Sequence, residues 1–582
     1  MSLKEKNTVN KCFYRASSKD FKIIPGSPIT YWISKEISKT FEGKTLSDLV
    51  ITEGQNKTAN NDKYVRFFWE VDTTTIGKGL HWLPYAKGGE YRKWYGNIQH
   101  IVDWTDLARN HFRKDSSCRI IAEAFWYKEG ITWTDITSGG AAFRFLPGGT
   151  TFDMSGPTAF FENHDEIYKC IALLNSCYTE YLLPVLNPTL HAQLRDIKSI
   201  PELALAKNNT RCSIVSKKCI QIAKDDWDSF ETSLEFKGLS ILKKISLGAK
   251  IITTFQNTYA HWIKITNELK QLEEENNHIF IDTYCLQDEL VAEVPLHKIT
   301  LTCNPYYRYG SNLTEEERKA RLQSDTIAEL ISYIIGCMMG RYSLDREGVV
   351  YANGRNEGFK TLTEEGAYTR FPADVDGILP LTTEAWFEDD IAARVVEFVR
   401  TVWGVEHLEE NLQFIADSLC LAAIKPVKKG GETSRETIRR YLSTQFFKDH
   451  LKTYKKRPIY WLFSSGKEKA FECLVYLHRY NETTLPRMRT EYVTPLLGQM
   501  DSRIDRLRLQ QNEAETAEAK RIGKEIDSLT KQITELRSFD DQLKHYADMK
   551  IQLDLDDGVK INYAKFGTLL AEAKAITGDK AE

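Results

Sequence analysis

Residues 85–96 have the side-chain types and the spacing that could read DNA. The segment Tyr85-Ala86-Lys87-Gly88-Gly89-Glu90-Tyr91-Arg92-Lys93-Trp94-Tyr95-Gly96 interleaves basic and aromatic groups on a glycine-rich turn. An Arg can bond a guanine edge through two N–H groups, a Lys can neutralise a phosphate, and aromatic rings offer stacking faces. The candidate DNA contacts here are Lys87, Tyr91, Arg92 and Lys93. The alternative is a basic surface turn that keeps Trp94 in the core.

Two later residues complete the candidate set, and the charge distribution supports it. Ser138 belongs to the turn Ser138-Gly139-Gly140, and Arg144 lies in the β-prone run 142–146. The net charge is only −3, yet residues 1–150 carry 22 Lys and Arg against 16 Asp and Glu, and residues 421–460 carry 11 against 3. A local basic surplus fits a polyanion partner such as DNA. Taken alone, it also fits an ordinary solvated charged face.

Signals for catalysis are weak. Methyl transfer from S-adenosylmethionine to adenine needs a glycine-rich strand-to-helix turn and an Asn/Asp-Pro-Pro-aromatic loop that holds the flipped base. No Gly-x-Gly turn follows an apolar strand, and the nearest loop is Asn304-Pro305-Tyr306-Tyr307, with Tyr306 in place of the second Pro. We interpret this loop as a structural turn. Glu-x-Lys pairs such as Glu268-Leu269-Lys270 fall in helical stretches, so we assign no catalytic residue.

Cysteine usage and hydropathy bound the class of protein. The 11 cysteines are scattered singly without a CxxC pair, which predicts reduced, mostly buried thiols and no structural zinc or other metal site. No run of about 18 apolar residues exists, and residues 1–6 lack the apolar core of a signal peptide. We therefore expect a cytoplasmic protein without a membrane span.

The elements that must position these residues change in type along the chain. Runs 64–71, 118–125 and 142–146 are β-prone and are separated by glycine turns. Apolar residues then recur at helical spacing in 165–186, 225–272, 325–342 and 390–424. We interpret the acidic stretch 273–277 as a solvated helix end. The spacing of Gly336 and Gly340 permits close helix contact.

Residues 497–543 carry a heptad-like stripe. Leu497, Met500, Ile504 and Leu507 are spaced 3, 4 and 3 apart, and a second stripe with the same alternation begins at Ile522. Charged residues fill the other positions, which is typical of a coiled coil. The acidic middle, 512–519, lacks the stripe. A helical hairpin with its turn there is one interpretation, and a single continuous dimerising helix is the other.

Several segments resemble the PglX family of adenine-specific DNA methyltransferases from BREX phage-defence systems. Two are particular to that family: Gly336-Cys337-Met338-Met339-Gly340-Arg341-Tyr342-Ser343-Leu344-Asp345 and Asp554-Leu555-Asp556-Asp557-Gly558-Val559-Lys560-Ile561-Asn562-Tyr563. Segments 21–34, 87–97, 131–139 and 152–157 resemble the target-recognition region of these enzymes. Segments 173–176 and 186–201 are similar to the closing element of recognition domains in fused methylase-specificity enzymes generally. The resemblance extends from about residue 20 to the end.

The resemblance implies a mixed α/β target-recognition domain followed by a largely α-helical C-terminal region with a coiled-coil hairpin. The expected divisions are 1–20, an artificial start or a linker; 21–224, the target-recognition domain; 225–300, a helical connector; 301–496, a mainly helical domain; 497–550, the coiled coil; and 551–582, a tail helix. We expect the DNA-recognition part of an adenine-N6 methyltransferase. The family's catalytic motifs belong to a preceding domain, so no catalytic residue is carried over.

The same resemblance sets expectations for cofactors and partners. S-adenosylmethionine is implied for the full-length parent but not for this chain, which we expect to be inactive alone. Double-stranded DNA, the parent's methyltransferase domain and other BREX proteins are the expected partners, and no membrane is expected. One alternative is a scaffold module of the BREX complex with little DNA affinity. Another is a complete enzyme of an unrecognised type, such as a nuclease.

Overall fold

The computed structural model describes residues 20–52, 54–137, 139–202, 210–243, 245, 247–382, 384–427 and 431–578. The described chain forms two compact units, each built from separate stretches of sequence. The first unit contains the described residues up to 60 together with 77–227 and 262–311, and the second contains 61–76, 228–261 and the described residues from 312 onward. The boundaries expected from sequence at 224, 300, 496 and 550 stay predictions.

Short strands give the chain its β component. They are β1 Val65–Phe67, β2 Trp82–Ala86, β3 His100–Asp103, β4 Gly130–Thr132, β5 Arg144–Leu146, β6 Thr151–Phe152, β7 Thr158–Ala159, β8 Ile378–Pro380, β9 Tyr460–Ser464 and β10 Glu472–Tyr476. In the first unit, β2 pairs antiparallel with β3 and parallel with β6, and β4 pairs antiparallel with β5 and β7. In the second unit, β10 lies between β8 and β9, antiparallel to both.

Helices make up most of the remaining regular structure. Those of the first unit are Lys35–Thr40, Asp106–Lys114, His164–Leu174, Cys177–Leu186, Leu194–Lys198, Thr210–Trp227 and Pro305–Tyr309. Those of the second unit are Asn61–Tyr64, Glu315–Met338, Phe359–Glu364, Ile391–Trp403, Leu408–Ala422, Ser434–Tyr441, Phe447–Thr453, Thr484–Arg487, Thr494–Glu513, Thr516–Asp548, Gly558–Ala564 and Ala573–Thr577. Helix Ile251–Tyr284 contributes residues to both units. The mixed α/β class expected from sequence is confirmed.

The helical stretch predicted over 165–186 is two helices. Asn175 separates them because its side chain makes two hydrogen bonds to the backbone of Phe143, accepting from the N–H at 3.0 Å and donating to the carbonyl at 2.9 Å. Ser176 then caps the second helix by accepting from the backbone N–H of Thr179. Short polar side chains that compete for backbone groups commonly end one helix and begin the next.

Two further expectations about local structure are wrong. Residues 118–125 form no strand; instead the backbone N–H of Ile121 donates to the buried side chain of Asn56, and a 3₁₀ turn follows. Residues 228–243 and 247–250 are mostly turns and irregular chain rather than α-helix. The close approach at Gly336 is to the ring of Tyr342, while that at Gly340 is to the ring of Phe359, the first residue of helix Phe359–Glu364, so close helix contact occurs at Gly340.

The acidic stretch 273–277 is not a solvated helix end. Helix Ile251–Tyr284 continues through it, and Glu273, Asn276 and Asn277 are buried. Asn276 donates to the carbonyl of Ala172 at 2.8 Å, so this turn of the helix joins the core of the first unit. The polar composition predicted exposure to solvent, but these three side chains are buried because each has a hydrogen-bond partner within the fold.

The heptad stripes lie on two consecutive helices. Helix Thr494–Glu513 ends at Ala514, helix Thr516–Asp548 follows, and the two pack against each other. Most positions of the predicted stripes are buried, but on the first helix Leu496 is buried rather than the predicted Leu497, and Ile526 on the second helix is only partly buried. The buried residues are Leu496, Met500, Ile504 and Leu507 on the first helix, and Ile522, Leu529, Ile533, Leu536, Phe539 and Leu543 on the second. Coiled-coil packing as such stays a prediction.

Two simpler expectations concern cysteines and membranes. The described cysteines form no disulfide, and most of them are buried. Among the helices of the described residues, none is both long enough and apolar enough to cross a bilayer.

Candidate nucleic-acid interface

Arg92 is an interior residue of the first unit. Its side chain is 4% exposed and makes an ion pair with Asp226, with 2.6 Å between Nη2 and Oδ2. Its Nε donates to the carbonyl of Tyr95 at 2.9 Å, its Nη1 donates to the hydroxyl of Thr302 at 2.8 Å, and the guanidinium lies over the ring of Trp227. Each nitrogen therefore has a partner within the unit, and the geometry gives no support to a base contact by Arg92.

Lys93 is buried against a carboxylate of the helix Ile251–Tyr284. Its Nζ lies 3.0 Å from Oε2 of Glu273, while Oε1 of the same carboxylate accepts from the indole N–H of Trp94 at 2.8 Å. Burial alone would lower the pKa of Lys93, but the charge of Glu273 raises it above its usual value, so the ammonium stays charged. Lys93 and Trp94 thus fasten the turn to this helix.

Trp94 shows why this fastening matters. Its backbone lies in the left-handed region, at φ +70°, which costs a side-chain-bearing residue about 1–3 kcal/mol. The ring is fully buried, and its N–H is bonded to Glu273. Backbone bonds to Phe143 and Phe145 hold the residue on both sides. The alternative interpretation of the turn, with Trp94 in the core, is therefore correct for this residue.

Arg144 supports the same turn from β5. It is 1% exposed and donates through Nη1 to the carbonyl of Arg92 at 3.1 Å and through Nη2 to the hydroxyl of Thr134 at 3.3 Å. Burial, together with the neighbouring Arg92, lowers the pKa of Arg144 to about 10. Its Nε has no hydrogen-bond partner among the described residues. Arg144 is a positioning residue for the turn rather than a groove-facing one.

The remaining candidates lie nearer the surface. Nζ of Lys87 lies 3.5 Å from Oδ2 of Asp153, and the Lys87 side chain is partly exposed. Tyr91 is half-buried, and its carbonyl accepts from the hydroxyl of Tyr307. Burial raises the pKa of the Tyr91 phenol. Ser138 lies outside the described residues.

Beside Tyr91 and Lys93 lies a pocket of about 130 Å³, which Thr137, Leu190 and His191 also line. Ordinary ligand pockets are roughly 300–1,000 Å³. The pocket is therefore too small to indicate a small-molecule site by itself.

Three loops do present side chains to solvent next to the turn. Ile136 is 59% exposed, Met154 47% and Leu190 61%. The loops are joined by backbone hydrogen bonds: the N–H of Thr137 donates to Leu190 at 3.1 Å, and the N–H of Asp135 donates to Ser155 at 3.1 Å. Sequence analysis missed these residues, since isolated apolar side chains in polar loops carry little signal. We call the side chains of Ile136, Met154 and Leu190 the apolar tips.

Gly88 brings the glycine turn against these loops. Its φ is +72°, and an added Cβ would lie 2.6 Å from the carbonyl oxygen of Ser155. Thr134 donates to the carbonyl of Gly89 at 3.1 Å, which joins the loop that bears Ile136 to the same turn. Close backbone approach therefore requires glycine at position 88, and the basic turn and the apolar tips form one loop cluster.

The second basic region, 421–460, belongs to the second unit. Its arginines mostly face carboxylates; the pairs are Arg435 with Glu409, Arg439 with Asp390, and Arg440 with Glu432. Residues 428–430 lie outside the described residues. Lys448 and Lys452 are exposed one turn apart on helix Phe447–Thr453, and Lys456 is exposed just beyond it. Lys425 and Lys455 of the same region are exposed as well.

The loop around Asn304 is structural, as predicted. Asn304 caps helix Pro305–Tyr309 by accepting from the backbone N–H of Tyr306 at 3.1 Å. Its amide donates to the carbonyls of Leu296 and Ile299, and the residue is fully buried. Its amide oxygen and nitrogen both bond to the local backbone.

Two curated proteins are similar to this chain. It is 49% identical over 587 aligned residues to a protein of Escherichia coli O9:H4 (strain HS) named adenine-specific methyltransferase BrxX, an alignment that covers 100% of this chain and 48% of that protein. It is 36% identical over 578 residues to adenine-specific methyltransferase PglX of Lacticaseibacillus casei (strain Zhang), covering 95% of this chain and 45% of that protein. The chain spans about half the length of both relatives. No protein-family model matches it.

Proposed function

We propose that this chain is the DNA-recognition part of a site-specific adenine-N6 DNA methyltransferase of a BREX phage-defence system. The observation that carries the proposal is the 49% identity to an adenine-specific methyltransferase across the whole of this chain. The chain corresponds to the C-terminal portion of such an enzyme. In this proposal, a domain outside these 582 residues binds S-adenosylmethionine and transfers its methyl group to adenine.

The loop cluster is the surface that we propose meets the bases. Apolar side chains can contact the methyl group of thymine or enter a base step, and glycine turns allow close backbone approach. The three apolar tips are exposed beside the Gly88 turn. Arg92, Lys93 and Arg144 fasten that turn from inside, so they act on recognition only through its position.

Phosphate contact is assigned to exposed cations. Lys448, Lys452 and Lys456 are exposed in the second unit, whereas the Lys87 side chain at the turn is only 17% exposed and lies 3.5 Å from Asp153. Such contacts set affinity and its salt dependence, while base contacts set sequence choice. Basic groups already engaged by carboxylates, such as Arg435, contribute less.

Paired substitutions in the first unit test the recognition surface. Ile136→Ala and Leu190→Ala should each weaken binding of the 582-residue chain to its target duplex about tenfold, which is about 1.4 kcal/mol. Leu107→Ala is the matched control, since Leu107 is 84% exposed on helix Asp106–Lys114. The melting temperature should not change in any of the three variants. Equal affinities for the tip and control variants would contradict this assignment.

A second measurement tests the assignment of methyl transfer to another domain. The chain, incubated with labelled S-adenosylmethionine and unmethylated host DNA, should transfer no label above a buffer control. Transfer by this chain would disprove that assignment. If the chain binds other BREX proteins but binds no DNA at any salt concentration, the result would favour the scaffold alternative. The helix pair Thr494–Glu513 and Thr516–Asp548, with its charged outer faces, is the feature that favours it.

A further inference from the structure

Three potential metal ligands of different chemical types meet at the end of helix Asp106–Lys114. His111 lies in the last turn of that helix, Asp115 follows it, and Cys118 lies three residues further on. One ligand atom from each residue lies within 4.8 Å of the other two. Nε2 of His111 is 3.6 Å from Oδ2 of Asp115. This grouping has no CxxC signature, so the cysteine spacing did not reveal it.

The backbone of the turn sets these side chains in place. The N–H of Asp115 donates to the carbonyl of His111, and the N–H of Cys118 donates to that of Asp115, both at 3.0 Å. Oδ1 of Asp115 accepts from the N–H of Ser117 at 2.8 Å and from its hydroxyl at 2.7 Å. One carboxylate oxygen is thereby occupied, which leaves Oδ2 on the side of His111. Such outer hydrogen bonds orient ligands at many metal sites.

Cys118 belongs to a second, separately anchored segment. It is buried, and its thiol donates to the carbonyl of Thr58 at 3.3 Å. The next residue, Arg119, exchanges two backbone hydrogen bonds of 2.9 Å with Lys57. The group therefore joins the end of a helix to the segment 57–58, two parts of the first unit that are far apart in sequence.

We propose that His111, Asp115 and Cys118 bind a Zn²⁺ ion, with a water molecule as the fourth ligand. Imidazole nitrogen, thiolate sulfur and carboxylate oxygen are the donors that Zn²⁺ takes, whereas Ca²⁺ and Mg²⁺ prefer oxygen alone. Neighbouring ligand atoms around a tetrahedral Zn²⁺ lie about 3.5 Å apart. Nε2 of His111 and Oδ2 of Asp115, 3.6 Å apart, already have that spacing. The separations to the sulfur of Cys118, within 4.8 Å, would shorten on binding, and the His111 side chain, which is 42% exposed, has room to move.

Binding would change the state of two groups. The thiol proton of Cys118 is released to solvent as sulfur bonds to zinc, and the hydrogen bond to Thr58 is lost with it. His111 binds as the neutral imidazole. Affinity should therefore rise with pH, and the ion should stabilise the first unit by joining the helix end to the segment 57–58. This site is independent of the DNA-recognition proposal.

Cobalt substitution tests the site directly in the 582-residue chain. After chelation and thiol reduction, addition of Co²⁺ should give one equivalent of bound metal, with visible bands of tetrahedral cobalt and a near-ultraviolet thiolate-to-cobalt band. Zn²⁺ should displace the Co²⁺ and raise the melting temperature. Absence of a thiolate band in the reduced protein would overturn the proposal, as would octahedral cobalt spectra alone.

Variants assign the ligands. Cys118→Ser should abolish the thiolate band, whereas Cys285→Ser, at an exposed cysteine, should leave it unchanged. His111→Gln and Asp115→Asn should each weaken binding at least about tenfold, with His164→Gln as the exposed histidine control. If Cys118→Ser fails to fold, the other two variants decide. A thiolate band that is as strong in both of them as in the wild type would place the metal elsewhere and contradict the proposal.

Discussion

At the scale of single residues, two of the three cations of the basic turn, Arg92 and Lys93, are bound inside the fold. Removing an ammonium or guanidinium from water costs several kcal/mol, which only a well-placed carboxylate and further hydrogen bonds offset. Arg92 has Asp226, and Lys93 has Glu273. Both carboxylates make further bonds; Asp226 accepts from the backbone N–H groups of Thr302 and Cys303. Removing one cation from such a network leaves a buried carboxylate short of a partner.

Arg92→Ala should therefore lower the free energy of unfolding by about 3–5 kcal/mol, because it strands the buried Asp226. Thermal and urea denaturation measure the effect, with DNA binding followed on the same sample. Lys448→Ala is the control, since an exposed Lys should change stability by less than about 0.5 kcal/mol. Lost DNA binding with unchanged stability would instead return Arg92 to the list of direct contacts.

A second buried group, in the second unit, makes stability depend on pH. Oε2 of Glu231 accepts from the hydroxyls of Tyr454 at 2.8 Å and Ser332 at 3.2 Å. Burial raises the pKa of Glu231 to about 7, although the bond from Tyr454 and the charge of Arg341 act in the opposite direction. The folded state therefore favours the protonated carboxyl. Its contribution to stability is complete below the usual glutamate pKa and is lost as the pH rises to about 7.

Glu231→Gln should remove this dependence. As the pH rises from about 4.5 to 7, the wild type should lose stability relative to the variant, so the melting temperature of the variant should rise relative to that of the wild type. The difference in their free energies of unfolding should change by an amount on the order of 3 kcal/mol across that range. Glu235→Gln, at an exposed glutamate of the same segment, serves as the control. A constant difference between Glu231→Gln and the wild type at all pH values would show that Glu231 does not titrate there.

At the scale of elements, the 3–4 spacing of apolar residues predicted the pair of helices near the C-terminus. Leu536 is fully buried on helix Thr516–Asp548, which packs against Thr494–Glu513 of the same chain. Leu536→Ala should lower the free energy of unfolding by about 2–5 kcal/mol, while the exposed Lys531→Ala should have little effect.

A hairpin that pairs within one chain should also melt at a temperature that does not depend on protein concentration. A melting temperature that rises with concentration would favour the alternative of a continuous dimerising helix. Both measurements use the intact chain.

Other elements could be predicted only in part. Apolar spacing located helices His164–Leu174, Glu315–Met338 and Ile391–Trp403, since burying one face requires that spacing. It missed the break at Asn175, where a bond to a distant backbone decides the helix end. The strand predicted over 118–125 does not form for the same reason, because the backbone N–H of Ile121 donates to the side chain of Asn56.

At the scale of the whole molecule, exposed lysines rather than total charge should govern DNA affinity. The logarithm of the association constant should fall linearly with the logarithm of salt concentration, by about 0.9 per phosphate neutralised. The double substitution Lys448→Ala and Lys452→Ala should reduce the slope by about 2, whereas Arg435→Ala, which already faces Glu409, should leave it unchanged. A slope that the double variant shares with the wild type would exclude these lysines from the interface.

The sequence by itself determined the mixed α/β class, the stripes of the paired helices and the resemblance to adenine-specific methyltransferases, because all three depend on local composition and order. The tertiary structure alone decided which side chains of the basic turn face solvent. The carboxylates that bind Arg92 and Lys93 come from residues 134 and 180 positions away, and no local pattern relates such distant partners. A basic residue next to glycine and aromatic residues gives the same sequence pattern whether it is buried or exposed. Only the fold brings Asp226 and Glu273 to these cations and leaves Ile136 and Leu190 in water.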